Sequence, residues 1–129
     1  MLCKHAAYLE GLKVVLGSKS PQRKRILGAT TPLNFQCVGS SFAEDISKDG
    51  ISPGDYCVQT SLGKMSDLNE KLCFNYDILI CSDTIVVTSD GEILEKPGDA
   101  SDPVQEATRM LTKICGDSVT VLTSVVISY

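Results

Sequence analysis

The sequence predicts an α/β fold, a mixed twisted sheet with flanking helices, and three observations carry that reading. Leu12-Lys13-Val14-Val15-Leu16 is a β-branched run that passes through a small-residue loop straight into a helix start. Asp77-Ile78-Leu79-Ile80-Cys81-Ser82-Asp83 is apolar on both faces, as a strand flanked on both sides is. Ser89-Asp90-Gly91 is a turn between two further extended stretches, which adds an antiparallel pair. With 129 residues, 43% apolar and 22% charged, the chain can bury about two-thirds of its unfolded surface.

The elements follow in order. After the first strand comes Gly17-Ser18-Lys19-Ser20, with Ser20 placed as N-cap and Pro21 as the first helical residue. That helix is expected to end near Gly28. Phe35 to Val38 is a second strand, and Gly39 to Gly54 reads as a loop. Asp55 is positioned to cap a helix from Tyr56, whose apolar face is Val58, Leu62, Met65 and Leu72, with Gly63 weakening it. The interior strand continues through Thr84 to Thr88, and Glu92 to Glu95 returns beside it. Asp102, Pro103 and Gln105 form a helix start. Val104, Ala107, Leu111 and Ile114 define that helix's apolar face, and Gly116 stops it. Val119 to Ser128 is a last strand, partly apolar on both sides, that calls for neighbours on both edges.

Twelve Lys plus Arg against 16 Asp plus Glu leave a net charge of −4. That balance argues against general nucleic-acid binding, which draws on a basic surplus. No apolar run approaches the roughly 20 residues that cross a bilayer. Lys4 and His5 precede no apolar stretch that would make a secretory leader, so the cytosol is the expected compartment, without a membrane partner. The six cysteines (Cys3, Cys37, Cys57, Cys73, Cys81, Cys115) form no CxxC pair and have one histidine, His5, beside them. They read as reduced, mostly buried thiols rather than a zinc site.

Three segments carry candidate chemistry. Gly17 to Arg25 would present free N–H groups at a helix start, an anion site to which Ser18 and Ser20 add hydroxyls. Arg23 in that first turn opposes the helix dipole unless a phosphate arrives; an exposed basic face is the other reading. Asp83 follows a buried strand, where a carboxylate holds Mg²⁺, accepts a proton from water, or simply turns the chain. Lys96, fixed by Pro97, can reach a phosphate as a point charge or sit in an ordinary polar turn. As a set, Ser18, Arg23, Lys64 and Lys96 supply donors and positive charge, and Glu44 and Asp83 supply carboxylates. That combination suits a polyphosphate carried with a divalent ion.

The same residues resemble the motifs of the Maf family. Val15-Leu16-Gly17-Ser18-Lys19-Ser20-Pro21-Gln22-Arg23 is similar to its Leu-Ala-Ser-x-Ser-Pro-Arg-Arg opening. Cys81-Ser82-Asp83-Thr84-Ile85-Val86 resembles its Gly-Ala-Asp-Thr-(Ile/Val)-Val segment, and Leu94-Glu95-Lys96-Pro97 its Leu-(Gly/Glu)-Lys-Pro stretch. Ala107, Met110-Leu111, Gly116 and Val121-x-Thr123-x-Val125 follow in the family's order. The resemblance implies the Maf / inosine triphosphate pyrophosphatase-like fold over residues 12–129, after an N-terminal extension at 1–11. It implies a nucleoside triphosphate pyrophosphatase that releases a monophosphate and pyrophosphate from an NTP or dNTP, with dTTP, UTP or modified nucleotides as substrates. It further implies Mg²⁺ or Mn²⁺ as cofactor and a possible homodimer.

Carried over by position, the resemblance makes Ser18, Arg23, Lys64 and Lys96 substrate-binding residues. Asp83 becomes the catalytic base and, with Glu44, the metal partner. Some positions depart from the family pattern. Gln22 stands for its first arginine, Met65 for an alanine, and Cys81-Ser82 for Gly-Ala; its histidine after Gly116 is missing. The region that follows Val121–Ile127 in typical members is also missing, so a fold incomplete at its C-terminus is expected. The alternative reading is a catalytically impaired Maf-like domain acting as a nucleotide-binding or interaction module.

Overall fold

A computed structural model describes residues 5–99 and 101–129, so Cys3 and Lys4 lie outside the described residues. The elements are α1 (Ala6–Glu10), β1 (Val14–Gly17), α2 (Pro21–Thr30), β2 (Phe35–Cys37), α3 (Pro53–Lys71), β3 (Ile78–Thr88), β4 (Ile93–Leu94), α4 (Pro103–Ile114) and β5 (Val119–Ser128). A short 3₁₀ turn, Pro97–Asp99, joins β4 to α4. The strands form one mixed five-stranded sheet.

Long β3 organises that sheet. β5 runs antiparallel along one of its edges, from Leu79 opposite Ser128 to Thr88 opposite Val119. Two short strands share the other edge. β1 pairs parallel to its first half, ending with Gly17 opposite Cys81. β4 pairs antiparallel to its second half, beginning with Leu94 opposite Val86. Ser82 to Ile85 therefore have no strand partner on that edge. β2 continues the sheet outward from β1.

α3 covers one face of the sheet. Its start follows the same Ser-Pro logic as α2: Ser52 is the N-cap and accepts from the Asp55 amide at 3.1 Å, with Pro53 in the first turn. Asp55 is thus not the cap but a first-turn residue, and its carboxylate accepts from the Ser52 hydroxyl at 2.6 Å. The face turned to the sheet also differs from expectation. Tyr56, Cys57, Thr60, Ser61, Lys64, Met65 and Leu68 are buried, while Val58 and Leu62 are 44% and 48% exposed. Counting apolar residues selects the wrong face because the buried stripe carries three polar side chains, each with an internal partner. Thr60 donates to the Tyr56 carbonyl at 3.0 Å, Ser61 and Ser124 share a 2.5 Å hydroxyl contact, and Lys64 meets carboxylates.

Two apolar clusters form between α3 and β3. One joins Val15, Met65, Leu68, Leu79 and Cys81; the other joins Tyr56, Cys57, Ile85 and Val87. On the inward row of β3, Leu79 and Cys81 serve the first cluster and Ile85 and Val87 the second, which leaves Asp83 between them.

Two further expectations are corrected. α4 buries none of its residues, and Val104 and Leu111 of its apolar face are 76% and 64% exposed. Ion pairs to the β3–β4 hairpin hold this helix instead: Arg109 to Glu92 at 2.9 Å, and Lys113 to Asp90 and Glu92 at 2.9 and 2.6 Å. β5 has a partner on one edge alone among the described residues. Of the five described cysteines, all free thiols, Cys57 and Cys81 are buried and Cys37, Cys73 and Cys115 are exposed. Mostly buried thiols are therefore not what is found.

Candidate active site

The Gly17–Arg23 segment folds as its residue types require. Gly17 ends β1 where a side chain has no room: a Cβ there would lie 2.5 Å from Cys81 Sγ and 2.6 Å from Leu68 Cδ1. The chain then turns on hydroxyls. Ser18 Oγ accepts from the Ser20 amide at 3.1 Å, and Ser20 Oγ accepts from the Arg23 amide at 3.4 Å as the cap of α2. Arg23 folds back over this loop. Its Nη1 donates to Ser18 Oγ at 3.4 Å and its Nη2 to Thr84 Oγ1 at 2.9 Å, which ties α2 to the unpaired stretch of β3.

A cavity of about 410 Å³ opens at this place. Gly17 to Arg23, Ser40, Glu44, Lys64, Ser82, Thr84 and Lys96 line it. It occupies the gap in the β3 edge between the end of β1 and the start of β4. The structure therefore brings Ser18, Arg23, Glu44, Lys64 and Lys96 around one hollow, from four separate stretches of chain. A larger cavity of about 520 Å³ shares Lys96 with it and lies between the hairpin and α4. Its Lys48 and Arg109 are both in ion pairs with carboxylates.

Asp83 takes a different place from the others. It lies inside β3 rather than at its carboxyl end, it is buried, and it stands behind Lys64 rather than on the cavity wall. Lys64 Nζ bridges Asp83 Oδ1 at 2.7 Å and Glu44 Oε1 at 2.9 Å, and Lys96 lies 3.8 Å from the same Glu44 oxygen. Burial alone would pull the Lys64 ammonium down. Its hydrogen bonds to Asp83 and Glu44 outweigh that and hold its pKa above the ordinary lysine value.

Sequence reasoning missed the inner partners of Asp83. Cys57 Sγ lies 3.5 Å from the Asp83 carbonyl oxygen, 3.8 Å from Oδ2 and 3.4 Å from Ser124 Oγ. Ser124 Oγ in turn donates to the Cys57 carbonyl at 2.7 Å. The alternation of β5, which turns Ser124 to the Leu122 and Val126 side, was the available signal. Tyr56, buried one residue earlier, donates to Glu95 Oε1 at 2.7 Å, and burial together with that carboxylate raises its phenol pKa.

The donor set can be tested against a divalent ion. Two carboxylates converge on one ammonium, and among the described residues no group of three or more His, Cys, Asp or Glu could hold a metal by itself. Mg²⁺ commonly takes one or two carboxylates and completes its shell with water and substrate phosphate. Glu44, on the cavity wall, fits that mode as placed, and Asp83 would add a second carboxylate once Lys64 lets go of its Oδ1.

Residues 13–129 match the family model described as Maf-like protein. A human protein named probable bifunctional dTTP/UTP pyrophosphatase/methyltransferase is 36% identical over 132 residues, covering 98% of this chain and 20% of the relative. A Dictyostelium discoideum nucleoside triphosphate pyrophosphatase is 36% identical over 129 residues, 94% of this chain and 55% of its own. A Schizosaccharomyces pombe dTTP/UTP pyrophosphatase is 36% identical over 95 residues, 70% and 39% respectively. The chain thus spans about half, or less, of the length of these curated relatives. A family match over residues 13–129, nearly the whole chain, shows that the chain belongs to the Maf-like protein family.

Proposed function

We propose that this site hydrolyses a nucleoside triphosphate, with dTTP and UTP as first candidates, to the monophosphate and pyrophosphate. The observation that carries the reading is the Glu44–Lys64–Asp83 ion triad at the wall of a cavity ringed by Ser18, Arg23 and Lys96. The names of the relatives support the reaction and the two candidate bases.

The chemistry follows from the residues. The loop amides, Ser18 and Arg23 receive phosphate oxygens at the α2 N-terminus, and Lys96 approaches from the opposite wall. An incoming triphosphate competes for the Lys64 ammonium. Drawn toward the phosphates, Lys64 loosens its hold on Asp83 Oδ1 and frees a carboxylate oxygen for water. Water attacks the α-phosphorus, and the bond from that phosphorus to the bridging oxygen breaks. Pyrophosphate leaves with the electron pair while Asp83 takes the water proton. Glu44 and Asp83 are the residues that would hold Mg²⁺ or Mn²⁺, which when bound would draw charge from the phosphoryl oxygens.

The test is pyrophosphate release from a panel of nucleoside triphosphates with Mg²⁺, comparing the protein with Asp83→Asn. Release from dTTP or UTP that falls by about 10²–10³ in the variant is expected, the usual cost of losing one such group. No release from any triphosphate, or equal release from both proteins, overturns the reading. Nucleotide-dependent thermal stabilisation without release would instead favour a binding module.

A further inference from the structure

We propose that Gly63 is a positioning residue: its missing side chain seats Phe42 on α3, and that seat sets Glu44 against Lys64. The inference rests on the functional reading above for its purpose, but not for its geometry. Glu44 lies in a stretch, residues 38–52, that contains no helix or strand of its own to fix it. Something outside the stretch must hold it in place.

Two contacts do so, on either side of Lys64 along α3. C-terminal to it, Asp67 gathers the start of the loop. It accepts from Ser40 Oγ at 2.7 Å and from the Ser41 amide at 2.9 Å, and it pairs with Lys71. On the N-terminal side, the Phe42 ring lies directly over Gly63. A Cβ built there would overlap three atoms of that ring, two of them at 2.6 Å. Glu44, two residues beyond Phe42, then reaches Lys64 Nζ at 2.9 Å.

Glycine is not needed at position 63 for backbone reasons. Its φ is not among the positive values, which occur at Gly50, Gly91 and Gly116. Inside a helix, glycine is a poor choice by propensity. Space for the ring is what the position supplies. Any side chain there must displace the Phe42 ring from its seat beside Lys64.

The experiment measures the Glu44–Lys64 coupling in the full chain by urea unfolding. Glu44→Gln, Lys64→Met and their double variant are compared in three backgrounds: wild type, Gly63→Ala and Phe42→Ala. In the wild type the midpoint shifts are expected to be non-additive, as for residues in contact. In both altered backgrounds they should become additive. In parallel, Gly63→Ala should lower kcat/KM for the best triphosphate at least tenfold, and Phe42→Leu added to Gly63→Ala, which shortens the ring out of the clash, should recover most of the loss.

Coupling that persists unchanged in Gly63→Ala and Phe42→Ala, or a Phe42→Leu change that restores neither coupling nor activity, overturns the proposal. Coupling that is lost and restored as described, in a protein that hydrolyses no triphosphate, leaves the seat standing and sinks the hydrolase reading alone.

Discussion

Lys64 is the side chain on which both the proposed chemistry and the local fold turn. Its ammonium lies between Glu44 and a buried Asp83, so removing it strands a carboxylate away from water. Lys64→Met should cost about 3–5 kcal/mol, the range for breaking a buried pair from one side, and adding Asp83→Asn should return part of it. Urea unfolding of the two variants checks this. The pH dependence has a fixed sign. A lysine whose folded pKa is raised stabilises fully below its unfolded value, ordinarily 10.5, and that contribution fades as pH climbs through the folded value. The wild type should therefore lose stability on the alkaline side of pH 10.5, and Lys64→Met should make that limb shallower, leaving the share that Lys113 and Tyr56 contribute. Most of these groups could be found in the sequence, because a serine loop, an aspartate after a β-branched run and a lysine before proline each have local chemistry. The Cys57–Ser124 support of Asp83 is only half legible: the β5 alternation gives Ser124 its face, but no local pattern pairs it with a residue 67 positions away.

At the scale of the element, the Ser-Pro helix starts and the strand alternation were readable, while the buried faces were not. α3 hides Thr60, Ser61 and Lys64 because their partners come from β3, from β5 and from α3 itself one turn back. α4 was read as packing through an apolar stripe, yet charges attach it. Those charges make a prediction of their own. The Thr88 hydroxyl and Lys113 hold the Asp90 carboxyl at about 2, and Lys113 and Arg109 hold Glu92 below the usual glutamate range. A depressed carboxylate stabilises above its unfolded pKa and loses that contribution as pH falls through the folded value. Amide protection of α4 should thus fall between about pH 4 and pH 2, earlier than that of β3. Because the pairs are exposed, added salt should weaken the same attachment at neutral pH. Hydrogen exchange read by NMR at both pH limits, with and without 1 M salt, distinguishes these outcomes.

The whole molecule exposes 8348 Å², against about 6,700 Å² expected for a compact chain of this mass. Part of this surface is apolar and lies on the row of β5 turned away from α3. Val121, Val125 and Ile127 of β5 are each more than half exposed there, and Val104 and Leu111 add apolar surface on α4. Contiguous apolar surface of this kind binds hydrophobic dyes and favours association. Val121→Thr with Val125→Thr should lower both dye fluorescence and light scattering while leaving the α3 side, and so the Lys64 triad, intact. Unchanged scattering would show that the face is not what drives association. The alternation of β5 was plain in the sequence, but which of its rows would be covered was not, because the choice depends on where α3 lands. One last result comes from the strand lengths. β3 has 11 residues and β1 only four, so the recess lined by Ser18, Arg23 and Lys64 is a seam where one ladder stops before another starts. Its width is set by counting, not by cavity-forming side chains: two more rungs on each of the two short strands would zip it closed, and a designer could resize it by extending β4.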